Sequence, residues 1–293
     1  MRNNYSLGYR VFARFNAVFL AAAALLCIAP LLNVLAISFS SKEPADAGLV
    51  AFWPIKFTLD AYAKTFDNQN FIRSFWIAVE RTALATTLTM ALTCTAAYAL
   101  SKEDRVFRGR TAYAWIIVFT MLFSGGLIPS YLVVYHLGLT NTIASLVLPG
   151  AANVFNVVLM MNFFRGIPKE LEEAALIDGA GHFRTLLRIY LPISLPSLAT
   201  LGLFTIVGNW NSWFDGLIYM SDFRNYPMST FLQTVVAATD FTKLSMDPRE
   251  FSNLSDRTLK ASLIFVSALP VLAVYPFLQK YFVHGMTLGS VKE

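Results

Sequence analysis

The chain has 293 residues, of which 56% are hydrophobic and only 14% are charged, and its net charge is +5. Soluble domains carry roughly 25% charged residues, so this composition disfavours a water-soluble globule and favours a membrane protein. The basic residues lie in segments that flank apolar runs, which indicates a role in membrane orientation rather than in nucleic-acid binding.

Six apolar runs predict six transmembrane helices, because a spanning helix needs about 20 mostly apolar residues. A membrane β-barrel would instead show alternating segments of about ten residues. The first run is longer than the apolar core of a signal peptide, about 7–15 residues, so we expect an uncleaved span. The third run stops where SGGLIPS breaks the helix. The predicted spans are 15–39, 82–100, 111–123, 143–163, 197–219 and 261–278.

The predicted fold class is therefore all-α, a polytopic membrane protein with one transmembrane domain. This domain covers residues 15–283. A short N-terminal segment, 1–14, precedes it, and a polar tail, 284–293, follows it.

The Lys and Arg residues of the short loops predict the orientation, because cytoplasmic loops carry an excess of them. Loop 101–110 has four basic residues in ten, whereas segment 124–142 has none. The N-terminal 14 residues have three, and segment 164–196 has four. This pattern places both termini in the cytoplasm, together with segment 164–196.

A polar stretch, EEAALIDGAGHFRTLLRIYLP (172–192), lies between the fourth and fifth predicted spans. Pro168 suits the first turn of a helix, and Gly179 suits the left-handed position that ends one, so we expect a helix of about eleven residues. A second short helix is predicted over 182–190, and Pro192 marks the return towards the membrane. The first helix is acidic and has small alanines on one side, which favours docking to a protein over lying on a bilayer.

The same stretch contains a complete spaced motif. Glu173-Ala174-Ala175, three residues, Gly179, nine residues, Ile189, one residue and Leu191-Pro192 follow one another without a substitution. This pattern resembles the EAA loop of the permeases of binding-protein-dependent ABC importers. FSGGLIPSYLVVYHLGLTNT (123–142), NWNSWFDGLIYM (209–220) and GMTLGSVKE at the C-terminus are similar to the oligosaccharide branch of the maltose-permease-like smaller subunits, with alginate importers as the nearest resemblance.

The resemblance implies a type I ABC importer permease fold in the bacterial inner membrane. It also implies a second, different permease subunit, two ATPase subunits that bind ATP and Mg²⁺, a substrate-binding protein and an oligosaccharide substrate. The residues expected to couple to the ATPase are Glu173, Ala174, Ala175, Asp178 and Gly179. The tail residues expected to contact it are Thr287, Leu288, Gly289 and Ser290; a tail without such contacts is the alternative.

The sequence predicts neither an enzyme nor a metal site. It has no G-x-x-x-x-G-K-[ST] phosphate loop, so ATP is expected to be hydrolysed by another chain. His136, His182 and His284 lie in different segments and show no local spacing of metal ligands. We expect no cofactor on this chain.

Polar and aromatic residues in the fifth predicted span are candidates for lining the translocation pathway, because polar groups inside a membrane usually face a cavity or a partner. They are Asn209, Asn211, Trp213, Asp215 and Tyr219. The alternatives are an aromatic belt at the membrane interface and hydrogen bonds to neighbouring helices. Segments 41–81 and 220–258 could instead dock the binding protein. The alternative function is a secondary transporter driven by an ion gradient, although the chain shows no convincing internal repeat.

Overall fold

The structure of the chain is a computed structural model that describes residues 7–237 and 256–290, except for the side chains of 7, 10, 275 and 277–290. The described residues are helical and contain no strand, apart from an isolated bridge between Ser40 and Phe57. A π-helical turn, Leu186–Tyr190, and a 3-10 turn, Phe223–Asn225, interrupt the series. The α-helices are α1 (Leu7–Ser38), α2 (Lys42–Asp46), α3 (Asp60–Asp67), α4 (Gln69–Ser101), α5 (Arg110–Leu122), α6 (Leu127–His136), α7 (Ile143–Val147), α8 (Val154–Arg165), α9 (Lys169–Ile177), α10 (His182–Thr185), α11 (Leu191–Ile193), α12 (Leu195–Asn211), α13 (Phe214–Tyr219), α14 (Met228–Ala237) and α15 (Asp256–Ser290).

Three helices of the described residues are long and apolar enough to cross a membrane: Val11–Ser38, Gln69–Ser101 and Asp256–Val274. They correspond to the first, second and sixth predicted spans. Two bent pairs raise the number to as many as five, namely α5 with α6, bent by 111°, and His182–Ile193 with α12, bent by 85°. The first pair contains the third predicted span, and the second contains the fifth predicted span as far as Asn211.

The fourth predicted span is not one continuous helix. Residues 143–163 form α7 and the first part of α8, and the chain is non-helical between them. Pro149 and Gly150 lie in this break, and both residues disfavour a helix interior. The apolar run is therefore continuous in sequence but divided in structure.

The second and fifth predicted spans have different ends from those expected. Helix α4 begins at Gln69 rather than at Thr82. The prediction left out residues 69–81 because their polar and charged side chains lower the hydropathy of that stretch. The fifth span ends at Asn211 instead of Tyr219, since Ser212 has an extended backbone with ψ 120°. Residues 214–219 then form the separate helix α13.

The chain divides into two compact units. One unit takes in the chain up to Gln69 together with Thr234–Ala268, and the other takes in Asn70–Gln233 and the chain from Leu269 onward. The first has a small apolar core that includes Ile37 and Ala261. The second contains every residue of the candidate sites described below that has a described side chain. The predicted ends of the transmembrane domain, between residues 14 and 15 and between residues 283 and 284, stay predictions.

Candidate functional site

Helix α9 and the turn that follows it form as the sequence pattern predicts, with small differences in length. The helix has nine residues, Lys169–Ile177, and Pro168 is its N-cap rather than its first residue. Gly179 has φ +77°, the left-handed conformation that ends a helix. Its N–H donates to Leu176 O at 3.0 Å, and the N–H of Ala180 donates to Ala175 O at 2.9 Å. These bonds turn the chain sharply towards α10.

The predicted coupling residues lie together on the accessible side of this turn. Glu173, Ala174, Asp178 and Gly179 are exposed, and Ala175 is half-buried. Two large apolar side chains accompany them, since Ile177 is 86% exposed and Phe183 is 69% exposed. Exposed apolar side chains beside small residues are typical of a surface that another protein covers.

The opposite side of α9 is held by a nearly buried ion pair. Lys102, in the loop after α4, donates to Glu172 Oε1 at 2.7 Å, and the two side chains are only 9% and 15% exposed. Tyr190 Oη donates to Glu172 Oε2 at 2.7 Å. One carboxylate therefore joins the loop after α4 to the π-helical turn 186–190, and we call these three residues the anchor triad.

Aromatic rings enclose the lysine of the anchor triad. The Lys102 ammonium lies 3.7 Å from the centre of the Tyr98 ring and 4.3 Å from that of Tyr190, distances at which a cation is attracted to a ring face. Tyr98 Oη lies 3.3 Å from His182 Nδ1. The charge is thus removed from water but contacts a carboxylate and two rings.

The electrostatics of Glu172 favour its ionised form. Burial by itself raises the pKa of this carboxyl group, but the hydrogen bonds from Lys102 and Tyr190 and the Lys102 charge outweigh it. The pKa of Glu172 therefore lies below its ordinary value of 4.5. Burial lowers the pKa of Lys102 below its ordinary value, against the hydrogen bond and the charge of Glu172, which raise it.

A second, exposed ion pair connects the same two segments. Lys169, at the start of α9, bonds to Glu103, which also pairs with Arg105 at 2.6 Å. The hydrogen bond from Lys169 and the charges of Lys169 and Arg105 lower the pKa of Glu103. Because surface pairs of this kind contribute little to stability, the buried triad is the main connection.

The anchor triad rests on an apolar cluster shared by four helical segments. Tyr190 and Leu186 of the π-helical turn are buried in it. Tyr98 of α4, Phe164 of α8 and Leu201 of α12 belong to the same cluster. This cluster therefore packs the π-helical turn against α4, α8 and α12.

The structure does not bring the five candidate pathway residues to one surface. Asn209 donates to Thr205 O of its own helix at 2.8 Å. Tyr219 is buried with its ring stacked 6.3 Å from that of Tyr131. Asn211 and Trp213 are exposed.

Asp215, the remaining pathway candidate, is held by an ion pair with Arg81, which also donates to Ser212 O at 2.9 Å. Arg81 is 2% exposed. Ser212 Oγ and the N–H of Gly216 both donate to Asp215 Oδ1 at 2.9 Å. Asp215 thus links α4 to the break between α12 and α13.

Sequence reasoning missed the residues that hold these segments in place. Glu173 is the carboxylate of α9 expected to contact the ATPase. The adjacent Glu172, which the sequence did not single out, instead makes a buried contact with Lys102 of the same chain. Arg81 was assigned to a loop but lies inside α4. A single Lys in a polar loop and a single Arg near an apolar run give no local signal of a distant partner. The candidate tail residues Thr287, Leu288, Gly289 and Ser290 lie outside the residues whose side chains are described.

The chain combines an acidic helix, α9, that ends in an exposed turn with apolar helices long enough to cross a membrane. Residues 105–287 match the family of inner membrane components of binding-protein-dependent transport systems, and the chain belongs to this family. It is a family of transport components and not of enzymes. The membership agrees with the resemblance drawn from the EAA pattern.

Individual relatives match along nearly the whole chain. Protein LplC of Bacillus subtilis (strain 168) is 40% identical over 283 residues, covering 97% of this chain and 95% of that protein. The polygalacturonan/rhamnogalacturonan transport system permease protein YtcP of the same organism is 38% identical over 286 residues, covering 97% and 99%. A chain in the crystal structure of a bacterial ABC transporter involved in the import of the acidic polysaccharide alginate has a TM-score of 0.87 at 31% identity, covering 95% and 99%. These likenesses confirm the predicted all-α, type I importer permease fold.

Proposed function

We propose that this chain is one of two different permease subunits of an ATP-driven importer of acidic oligosaccharides. The complex sits in the bacterial inner membrane, with both termini and segment 164–196 in the cytoplasm. A substrate-binding protein delivers the sugar from outside. Two ATPase subunits bind ATP and Mg²⁺ and hydrolyse the nucleotide, and this chain supplies no catalytic group.

The observation that carries the proposal is the end of α9 and the turn after it, residues 173–179, which we call the coupling turn. The chain presents an acidic, alanine-faced helix that ends at a left-handed glycine, with Ile177 and Phe183 exposed beside it. Glu173 would make the polar contact with the ATPase, and Ala174 and Ala175 would permit close approach. Asp178 and Gly179 would shape the turn.

The anchor triad gives this surface a route into the transmembrane helices. When the ATPase subunits close around ATP, α9 would move with them, and the Glu172–Lys102 pair would carry the inner end of α4 along. Tyr190 would carry the π-helical turn and α12. The helices would then alternate between outward and inward access as a connected body.

The acidic substrate is supported by two relatives of this chain. One belongs to a polygalacturonan/rhamnogalacturonan transport system and the other to an importer of the acidic polysaccharide alginate, and all three named polymers contain uronic acids. The orientation is supported by the basic residues of loop 101–110 and of segment 164–196.

Substitutions at two nearby glycines test the coupling role. A Cβ at Gly179 or at Gly181 would meet nothing within 4 Å, but only Gly179 has a positive φ, since Gly181 has φ −74°. Gly179→Ala therefore costs about 1–2 kcal/mol of backbone strain, and Gly181→Ala costs none of it. Gly179→Asn should be tolerated better than Gly179→Ala, because Asn visits this conformation more readily.

The assay is uptake of alginate oligosaccharide by proteoliposomes that contain the complex as it co-purifies in mild detergent. We expect uptake to require ATP and to survive collapse of the ion gradients. We expect transport per ATP to fall at least about fivefold in Gly179→Ala, with Gly181→Ala like the natural chain and Gly179→Asn between them. Uptake that needs an ion gradient and no ATP would instead make the chain a secondary transporter. Normal coupling in Gly179→Ala would remove the role given to the turn.

A further inference from the structure

A cavity of about 380 Å³ lies between the loop after α4, the end of α8 and the start of α9. Its wall contains more basic than acidic groups. The acidic residues are Glu103, Glu172 and Glu173, and the basic ones are Lys102, Arg105, Arg110, Arg165 and Lys169. Apolar side chains complete the wall, among them Val106 and Leu176.

Three of the five basic residues have a carboxylate partner on the cavity wall. Lys102 pairs with Glu172, and Lys169 and Arg105 share Glu103. These charges are compensated within the chain. Arg110 and Arg165 are left.

Neither of the two remaining arginines makes a hydrogen bond to a carboxylate among the described residues. Arg165 donates to the backbone oxygen of Leu100 at 3.3 Å. Arg110 donates to Lys102 O at 3.4 Å and to Thr111 Oγ1 at 3.5 Å. Its Nε forms an ion pair with Asp104 Oδ1 at 3.6 Å, a distance too long for a hydrogen bond, and this buried atom makes no hydrogen bond to any described residue.

The positive charges at this cavity act against one another. Burial lowers the pKa of Arg165, and the like charge of Arg110 lowers it further. Arg110 is also the first residue of α5, whose first turn has no acidic residue, and the helix dipole adds positive potential there. An anion between the arginines would relieve this repulsion and could accept a hydrogen bond from the Arg110 Nε.

The position of the cavity indicates the source of the anion. It lies where three apolar helices meet polar chain, since α4 ends at Ser101, α5 begins at Arg110 and α8 ends at Arg165. Lipid headgroups lie at this level of a membrane, and basic pockets between helix ends bind anionic headgroups. Guanidinium groups match phosphate oxygens in pairs, and Val106 and Leu176 offer apolar contact for the glycerol and upper acyl chain.

We propose that this cavity binds the phosphate of an anionic phospholipid headgroup, held by Arg110 and Arg165. The lipid would bridge the loop after α4 and the end of α8. It would thereby support the same region that the anchor triad holds. The inference concerns lipid binding alone and does not depend on the substrate or on the energy source of transport.

The test uses the full chain, purified with the subunits that accompany it, and native mass spectrometry after addition of phosphatidylglycerol or phosphatidylcholine. The cavity variant is Arg110→Gln with Arg165→Gln. The control, Arg108→Gln with Arg188→Gln, removes the same charge from two exposed residues outside the cavity. We expect the cavity variant to bind phosphatidylglycerol at least about tenfold more weakly, and the control to bind it like the natural chain.

Three results would overturn the proposal. Equal losses in the cavity and control variants would show general attraction to surface charge, and equal binding of phosphatidylcholine would show that the anionic headgroup is not recognised. Protection against thermal unfolding by inorganic phosphate, without protection by the lipid, would identify free phosphate as the ligand. A further variant, Arg165→Lys, controls for misfolding because it keeps the charge and loses only the paired contact of the guanidinium with two phosphate oxygens. We expect it to bind phosphatidylglycerol more weakly than the natural chain and more tightly than the cavity variant.

Discussion

The Glu172–Lys102 pair should control how firmly α9 is attached to the rest of the fold. In Glu172→Gln the side chain keeps its shape but loses its charge, so Lys102 stays nearly buried without a counterion. Removing one partner of a buried pair costs about 3–5 kcal/mol. Two aromatic rings still contact the lysine, so we take the lower end, about 3 kcal/mol.

This energy converts to a rate that can be measured. Since about 1.4 kcal/mol corresponds to a factor of ten in an equilibrium constant, the population of molecules in which α9 is locally open should become about a hundredfold larger. Hydrogen–deuterium exchange of the amides in 169–180 measures this opening. The control is Glu170→Gln, an exposed residue in the first turn of the same helix, for which we expect at most a few-fold change from the helix dipole.

A double-mutant cycle separates the pair from its surroundings. Lys102→Met removes the charge that Glu172→Gln would strand, so the double variant should cost much less than the two single costs added together. Additive costs would show that the two residues do not act on each other. If Glu172→Gln exchanged no faster than Glu170→Gln, the pair would not be what attaches α9.

Three further predictions concern pH and two other buried contacts. Because the pKa of Glu172 is lowered in the folded chain, its contribution to stability is complete above its ordinary value of 4.5 and is lost as pH falls through the lower, folded value. Hydrogen exchange of residues 169–180, corrected for the intrinsic rate, should therefore stay constant from about pH 5 to 8 and rise in more acidic solution. A rise near neutrality would contradict this. Asp215→Asn should destabilise the chain by about 3 kcal/mol because Arg81 is left charged and buried. The thermal midpoint in detergent should fall, and adding Arg81→Met should partly restore it. An unchanged midpoint would exclude a structural role for the pair. Gly216→Ala places a Cβ 2.1 Å from Thr230 Oγ1 and should lower the free energy of unfolding by about 1–3 kcal/mol. Adding Thr230→Ala should reduce this loss. Equal thermal midpoints for Gly216→Ala alone and for Gly216→Ala with Thr230→Ala would refute the clash.

Local patterns in the sequence were sufficient for the helical class of the fold and for the turn at Gly179. Continuous apolar runs predict membrane helices because a helix satisfies its backbone polar groups within a single segment. Gly179 could be assigned to a helix end from its neighbours alone, and the structure has it left-handed there. Motif spacing within residues 172–192 also indicated the family.

The breaks within apolar runs were harder to predict. Pro149 and Gly150 divide a run that hydropathy treats as one span, and Ser212 ends α12 before the predicted boundary. A hydropathy average counts side chains and does not see the backbone dihedrals that end a helix.

The sequence by itself determined that the chain has apolar helices and a polar helix that ends in a turn at Gly179, because those features depend on residues close together along the chain. Only the tertiary structure decided which charges meet. Lys102 and Glu172 are separated by 70 residues, and Arg81 and Asp215 by 134. A buried charge is stable only where packing brings its partner within reach, and no local pattern contains that information.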